Sequence, residues 1–161
     1  MNKFYGEWKI NKKKSDSIDE LLKFFGVPYI ARKLVGSDNT VVIKEVGKGE
    51  ISIKDITKGG EQEDLHKFED KFIKSVDGRG TPVKKKSVFK EGIITVMTLS
   101  NNSIMIIRQF DVRGNTLRDR IYYKKFGDNE FKSVTRFYNR DKSRNAKSGG
   151  GKSKRKKQKK R

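Results

Sequence analysis

Alternation between apolar and polar side chains constrains this chain more than any other feature. From about residue 40 to Tyr138 the sequence consists of short alternating runs, and the runs end in turn-forming residues such as Gly59-Gly60, Asp77-Gly78-Arg79-Gly80 and Asn101-Asn102. Side chains of a β-strand point to opposite faces in turn, so the pattern predicts consecutive antiparallel strands. With one further strand near the N-terminus, we predict an all-β fold of about ten strands in an up-and-down barrel, because closure removes exposed sheet edges.

The stretch between the first strand and residue 38 has helical rather than alternating spacing. Apolar residues recur there at intervals of three and four, Ser17 and Glu20 fit a capping box that would begin a helix at Ile18, and Gly26 fits its end. Pro28 suits the first turn of a second short helix. We predict that the two helices form a lid over one mouth of the barrel. The lid residues that we expect either to gate the interior or to pack on the barrel are Leu21, Leu22, Phe25, Tyr29 and Ile30.

Two of the predicted strands carry an arginine on a face that is otherwise apolar or aromatic. Arg136 shares a face with Tyr138, and Arg108 lies on the apolar face of the run Ser103–Phe110. If these faces look outward, both arginines are ordinary surface residues. If they look inward, a buried cation without a partner is costly, and a carboxylate with an apolar tail would satisfy both the arginines and the walls. Asp119, on a neighbouring apolar face, would then neutralise an arginine internally and weaken such a site.

Composition excludes several classes of functional site. The chain has no cysteine and one histidine, His66, so disulfides, thiolate metal sites and multi-histidine zinc sites are excluded. We find no nucleophile–base pair and no phosphate-binding glycine loop, and we expect neither catalysis nor a cofactor. The N-terminus has no apolar segment typical of a signal peptide, and no apolar run is long enough to cross a membrane. We therefore expect a soluble, monomeric protein of the cytoplasm or the nucleus that is not secreted.

Several segments resemble one protein family. Phe4–Ile10, with the sequence F-Y-G-E-W-K-I, resembles the opening F-x-G-x-W-K-hydrophobic of the intracellular lipid-binding proteins, which include the fatty-acid-binding and retinoid-binding proteins. Ile18–Val27 and Tyr29–Lys33 resemble that family's two lid helices. Lys67–Phe72 and Val83–Ser87 resemble segments of its middle strands.

The resemblance covers nearly all of residues 1–140, which we interpret as one barrel domain, with residues 141–161 as a tail. It implies a ten-stranded barrel around a large cavity that binds and transports one long-chain fatty acid, or a similar hydrophobic carboxylate, without catalysis. The ligand would enter under the lid. The residues that the resemblance assigns to the carboxylate are Arg108, Arg136 and Tyr138.

The tail has an extreme composition. Its last twenty residues carry eleven Lys or Arg and no Asp or Glu, in a chain whose formal net charge is +20. A segment with so few apolar residues is expected to be disordered on its own. It fits a nuclear-import signal, a phosphate-binding segment for RNA or DNA, an anchor to an acidic membrane, or a solubilising tail. The basic residues concerned are Lys152, Lys154, Arg155, Lys156, Lys157, Lys159, Lys160 and Arg161.

Two further interpretations follow from the basic charge. The chain could be a nucleic-acid-associated protein that keeps the barrel only as a scaffold and contacts phosphates through its tail. Separately, Lys23, Arg32 and Lys33 lie on the predicted lid, where they would either contact an anionic membrane surface or form a solvated helix face.

Overall fold

The computed structural model describes residues 1–77, 80–101 and 103–142, and all structural statements below concern these residues. The helices are α1 (Asp19–Phe24) and α2 (Tyr29–Ser37), preceded by a 3-10 turn at Asn2–Phe4. The strands are β1 (Gly6–Ile10), β2 (Asn39–Gly47), β3 (Glu50–Thr57), β4 (Gly60–Lys67), β5 (Ile73–Val76), β6 (Pro82–Lys90), β7 (Ile93–Ser100), β8 (Ile104–Arg113), β9 (Thr116–Lys125) and β10 (Lys132–Arg140). Gly78, Arg79 and Asn102 of the predicted turns, and the predicted tail beyond Lys142, lie outside the described residues.

The strands form one antiparallel sheet in the order β4-β3-β2-β1-β10-β9-β8-β7-β6-β5. The first strand pairs with the last, β1 with β10, so these two strands lie side by side in the middle of the sheet. Strands β4 and β5 are at the two edges, and β4 also contacts β6, so the sheet curls until its edges approach each other. The predicted ten-stranded antiparallel barrel with two helices after the first strand is therefore confirmed.

Two local boundaries differ from the sequence prediction. Helix α1 begins at Asp19, and Ser17 lies outside it, where its Oγ accepts a hydrogen bond from the Asp19 amide at 3.2 Å. Strand β4 begins at Gly60, which the sequence suggested was a turn residue. The stretch Glu61–Asp64 is polar at every position, so it offers no alternation, and it is held as a strand by its ladder with β3.

The N-terminal motif closes the base of the barrel. The Trp8 indole donates to the Phe4 carbonyl at 2.9 Å, and both side chains are fully buried. The Arg140 guanidinium lies 4.1 Å from the Trp8 ring and donates to the Tyr5 carbonyl at 2.8 Å. Gly6 has a φ of +128°, and a Cβ there would lie 3.1 Å from Nη1 of Arg140, so the motif needs a glycine at this position.

Two groups of buried apolar side chains fill the interior. The base cluster is the larger one and contains Phe4, Trp8, Val41, Ile43, Ile51, Ile53, Ile94, Val96, Phe110, Val112, Leu117 and Tyr138. The lid cluster contains Leu21 of α1 with Ile121, Tyr123 and Val134 of the barrel. Strands β8, β9 and β10 contribute to both clusters, with partly buried Ile106 of β8 packed against the lid cluster. The residues between the two clusters on these strands define the candidate site.

Candidate functional site

A layer of polar side chains separates the base cluster from the lid cluster. On each of three neighbouring strands, one polar residue lies between a residue of the lid cluster and a residue of the base cluster. These residues are Arg136 on β10, Asp119 on β9 and Arg108 on β8. Asp119 and Arg136 are direct partners in the β9–β10 ladder. We use the term polar layer for Arg108, Asp119 and Arg136 together with Asn39 of β2 and Asp55 of β3.

Arg108 is bound by two carboxylates at once. Its Nε donates to Asp119 Oδ1 and Oδ2 at 3.1 and 3.0 Å, and its Nη2 donates to Asp119 Oδ2 at 2.8 Å. On the other side, Nη1 and Nη2 donate to Asp55 Oδ2 and Oδ1 at 2.9 and 3.0 Å. All three nitrogens of the guanidinium therefore have carboxylate partners, and the predicted neutralisation of an arginine by Asp119 is observed.

The pKa values of this group follow from its burial and its charges. Burial alone would lower the pKa of Arg108, but Asp119 and Asp55 hold that pKa well above its ordinary value. Burial raises the pKa of Asp119, and the Arg108 cation opposes that shift. Arg108 is therefore a permanent cation inside the barrel, stabilised by two aspartates.

Arg136 is the second cation of the layer and is less completely paired. Its side chain is 3% exposed, and its Nε has no hydrogen-bond partner in the described part of the chain. Its nearest opposite charge in the ladder is Asp119, which Arg108 already binds. Arg136 lines an open pocket of about 290 Å³ beside the lid, whose other lining residues come mainly from the polar connection between β1 and α1 and include Asp16 and Asp19.

Tyr138 lies one inward position further along β10, and its hydroxyl joins the polar layer. The Asn39 side-chain amide donates to the Tyr138 hydroxyl at 2.9 Å, and the side chains of both residues are buried. Burial, with Asp119 and Asp55 nearby, raises the pKa of Tyr138 far above its ordinary range. The phenol therefore stays protonated at physiological pH, and its hydroxyl can donate a hydrogen bond to an acceptor in the barrel.

The predicted lid residues fall into two groups. Leu21 is buried in the lid cluster, Phe25 packs against that cluster, and Leu22 is partly buried. Tyr29 and Ile30, at the start of α2, are 59% and 76% exposed. The structure thus places α1 against the barrel interior and the first turn of α2 at the surface.

Edge strand β4 meets β6, the neighbour of the other edge strand, through polar contacts. Lys85 of β6 forms an ion pair with Asp64 of β4, with Nζ and Oδ1 2.6 Å apart, and His66 Nδ1 lies 3.2 Å from Ser87 Oγ. Burial, with the Lys85 cation nearby, lowers the pKa of His66 to about 4, so the imidazole is neutral at physiological pH. A cavity of about 260 Å³ lies along this seam.

No sequence-family model matches the chain, and no curated protein matches it in sequence. Solved structures do match its fold. Fatty-acid-binding protein 1 of Echinococcus granulosus matches with a TM-score of 0.71 at 19% identity, over 87% of this chain and 98% of that one. The Schistosoma mansoni fatty acid binding protein in complex with arachidonic acid matches with a TM-score of 0.70 at 20% identity, over 88% and 98%.

The fold is that of the fatty-acid-binding proteins. A third match, the fatty-acid-binding protein isolated from Manduca sexta, has a TM-score of 0.63 at 17% identity and covers 84% of this chain and 98% of that one. The fold expected from the family resemblance is therefore confirmed for both the strands of the barrel and the two helices of the lid.

The sequence predicted that Arg108, Arg136 and Tyr138 lie close together, and the structure places all three in or at the polar layer. It also predicted that Asp119 would neutralise an arginine. It missed Asp55 and Asn39, which reach the layer from β3 and β2. Among the described residues no group of His, Cys, Asp and Glu has the arrangement of a metal site, and His66 faces Ser87 instead. No described helix has the length and apolar character needed to span a membrane.

Proposed function

We propose that the barrel binds one long-chain fatty acid, or a similar apolar acid, with its carboxylate in the polar layer. The observation that carries this proposal is Arg136, a cation with 3% exposure whose Nε lacks a partner in the described chain and which lines an open pocket beside the lid. A buried cation that is incompletely paired favours an anion beside it. The arachidonic acid complex of the Schistosoma protein, which has the same fold, supports an apolar acid as the ligand class.

In this proposal the acyl chain supplies most of the affinity. Each methylene buried against apolar side chains contributes about 0.8 kcal/mol. The lid cluster offers such a surface near Arg136, since Val134 lies two positions before that arginine on β10 and packs in one cluster with Leu21 of α1. The lid would open to admit the ligand, and Leu21, Leu22 and Phe25 would line the passage, with Tyr29 and Ile30 at its outer rim.

The head group contributes orientation more than net free energy. Arg136 would donate charge-assisted hydrogen bonds to the carboxylate, and the protonated Tyr138 hydroxyl would donate a further one. Arg108 would contribute after rearrangement, because aspartates occupy its nitrogens in the structure. These bonds largely offset the loss of hydration of both ions. The role is binding and delivery of the ligand, with no chemical step.

The test is titration of the full chain with a dansyl-labelled undecanoic acid, followed by displacement with palmitate and with hexadecan-1-ol. Wild type is expected to bind the probe with a micromolar or lower dissociation constant. Arg136→Gln is expected to weaken palmitate binding by about tenfold or more, because a neutral amide replaces the cation. Hexadecan-1-ol should displace the probe from this variant and from wild type with similar inhibition constants.

The matched control is Arg118→Gln on the adjacent strand. Arg118 pairs with Asp111 and faces away from the polar layer, so this variant changes the net charge equally without touching the interior. A folded full chain that binds neither palmitate nor hexadecan-1-ol would refute the proposal. Equal weakening of palmitate binding by the two arginine variants would refute the role of Arg136.

The composition of the tail favours a second candidate function, association with RNA or DNA. The last twenty residues carry eleven cations and no acidic residue, so they can bind the phosphates of RNA or DNA independently of the nucleotide sequence. The same segment fits nuclear import or membrane attachment. Titration of labelled RNA with the full chain and with a chain ending at residue 141, at several salt concentrations, would test it. Binding that is lost with the tail and falls steeply with salt would support nucleic-acid association.

A further inference from the structure

We propose that Asp55 competes with the ligand's head group for Arg108 and so lowers the preference of the barrel for acids over neutral lipids. This inference rests on the proposed function, since it concerns how the head group of a bound lipid meets the polar layer. It assigns a specificity role to a residue on β3 that no sequence motif marks.

The geometry at Arg108 distinguishes its two carboxylate partners. Asp119 has no accessible side-chain surface and makes three contacts that include Nε. Asp55 reaches Arg108 from the opposite wall of the barrel and binds only the two terminal nitrogens, the edge that would receive a carboxylate in the same two-bond arrangement. Asp55 therefore occupies the position on Arg108 that a ligand acid would need.

Accessibility indicates which partner can leave. The side chains of Arg108 and Asp55 are 23% and 25% exposed although both lie inside the barrel, whereas Asp119 is 0% exposed. The Arg108–Asp55 contact thus has water-accessible surface, and this surface is where a ligand head group would meet it. Asp119 is enclosed and remains in place, so exchange at Arg108 means exchange of Asp55.

The charge balance of the polar layer sets the direction of the effect. Two cations, Arg108 and Arg136, are matched by two carboxylates, Asp55 and Asp119. A ligand carboxylate adds one negative charge to a layer that is already balanced, and like charges in a poorly hydrated site repel each other. An alcohol of the same chain length adds no charge and leaves Asp55 in place. The wild-type barrel should therefore discriminate weakly between the two.

Replacing Asp55 by asparagine removes one negative charge at nearly constant shape. Arg108 keeps Asp119, and its freed terminal nitrogens become available to the ligand. We expect Asp55→Asn to raise the affinity for palmitate by about tenfold or more and to change the affinity for hexadecan-1-ol by less than about threefold. Wild type should bind palmitate less than about tenfold more tightly than hexadecan-1-ol.

The experiment is displacement of the dansyl-labelled undecanoic acid from the full chain by palmitate and by hexadecan-1-ol, at pH 7.4 and fixed salt. Asp111→Asn is the matched control, since Asp111 pairs with Arg118 outside the polar layer and carries the same charge change. Circular dichroism and urea unfolding establish that each variant is folded. If Asp55→Asn does not fold, Asp55→Ser and the wild-type affinity ratio give the same test.

The outcomes separate this inference from the proposed function. A selective gain for palmitate in Asp55→Asn and not in Asp111→Asn supports both. If wild type binds both lipids and Asp55→Asn leaves the ratio of the palmitate and hexadecan-1-ol affinities unchanged, Asp55 is not a competitor. The proposed lipid binding would then still stand. A wild-type preference for palmitate above about a hundredfold also overturns it. Failure of every folded variant to bind either lipid overturns the proposed function itself.

Discussion

Arg108 and Asp55 are 53 residues apart in the chain and form a two-bond ion pair across the barrel interior, with N–O distances of 2.9 and 3.0 Å. The pair is one half of a three-residue group, since Asp119 binds the same guanidinium from the adjacent strand. A cation shared by two carboxylates holds β3, β8 and β9 in a fixed relation. The same group determines how much positive charge the barrel can offer to a ligand.

Removing this cation should be strongly destabilising. Arg108→Gln would leave Asp55 and Asp119 without their shared partner, and an uncompensated buried charge costs about 3–5 kcal/mol. Asp55→Asn should cost less, because Arg108 keeps Asp119. Urea unfolding followed by tryptophan fluorescence measures both values. A loss below about 1 kcal/mol for Arg108→Gln would mean that water screens the group and that the ion pairs contribute little.

The Phe4–Gly6–Trp8 motif should depend on its glycine. Gly6→Ala would place a Cβ 3.1 Å from Nη1 of Arg140 at a φ of +128°, so both the backbone and the Arg140–Trp8 stacking must shift. We expect a loss of about 2–3 kcal/mol in the free energy of unfolding.

Gly49→Ala is the matched control for this substitution. Gly49 also has a positive φ, of +69°, but an added Cβ there meets no heavy atom within 4 Å. It should cost about 1 kcal/mol, from backbone strain alone. Equal losses in the two variants would mean that the contact with Arg140 is unimportant.

His66 should make the protein less stable in mild acid. Its pKa is about 4 in the folded chain, against about 6.5 when unfolded, so the folded state binds fewer protons between these values. The free energy of unfolding should therefore fall as the pH is lowered from about 6.5 to 4, by up to about 3 kcal/mol.

The comparison that isolates His66 is with His66→Gln, which keeps a polar partner for Ser87. Carboxylates such as Asp119, whose raised pKa acts in the opposite direction, contribute equally to both proteins. Urea unfolding at pH 7, 6 and 5 should show a smaller decrease for the variant. Parallel decreases in the two proteins would refute the assignment to His66.

The lid should be held by α1 rather than by the start of α2. Leu21 is buried against Ile121 and Val134, whereas Ile30 is 76% exposed. Leu21→Ala should lower the free energy of unfolding by about 2 kcal/mol or more, and Ile30→Ala should change it by less than about 0.5 kcal/mol. Urea unfolding of both variants tests this difference. Similar values would mean that α2 carries as much of the packing as α1.

Local alternation was sufficient to identify part of the site. Whether Arg136 and Tyr138 share a face depends only on their spacing along one strand, and a strand was readable there from its apolar and aromatic residues. The same argument identified Arg108 on β8 and placed Asp119 on an apolar face of β9. The family resemblance added the direction of those faces, toward the interior.

Asp55 could not be identified in this way. Its contact with Arg108 joins two strands that are not neighbours in the sheet, so it depends on the curl of the whole barrel and on the register of β2 with β3. Ile51 and Ile53 share its face by alternation, but that face alone does not indicate which residue of a distant strand Asp55 meets. The roles predicted for Arg108, Arg136 and Tyr138, and for the basic tail, remain predictions.

The proposed binding mode places a lipid carboxylate beside Arg136 inside the barrel. Carbon-13 NMR of palmitate that is labelled at its carboxyl carbon and bound to the full chain tests this position. We expect one bound carboxyl resonance that shifts in Arg136→Gln and does not shift in Arg118→Gln. A folded protein that gives no bound resonance, or one that is identical in wild type and Arg136→Gln, would contradict it.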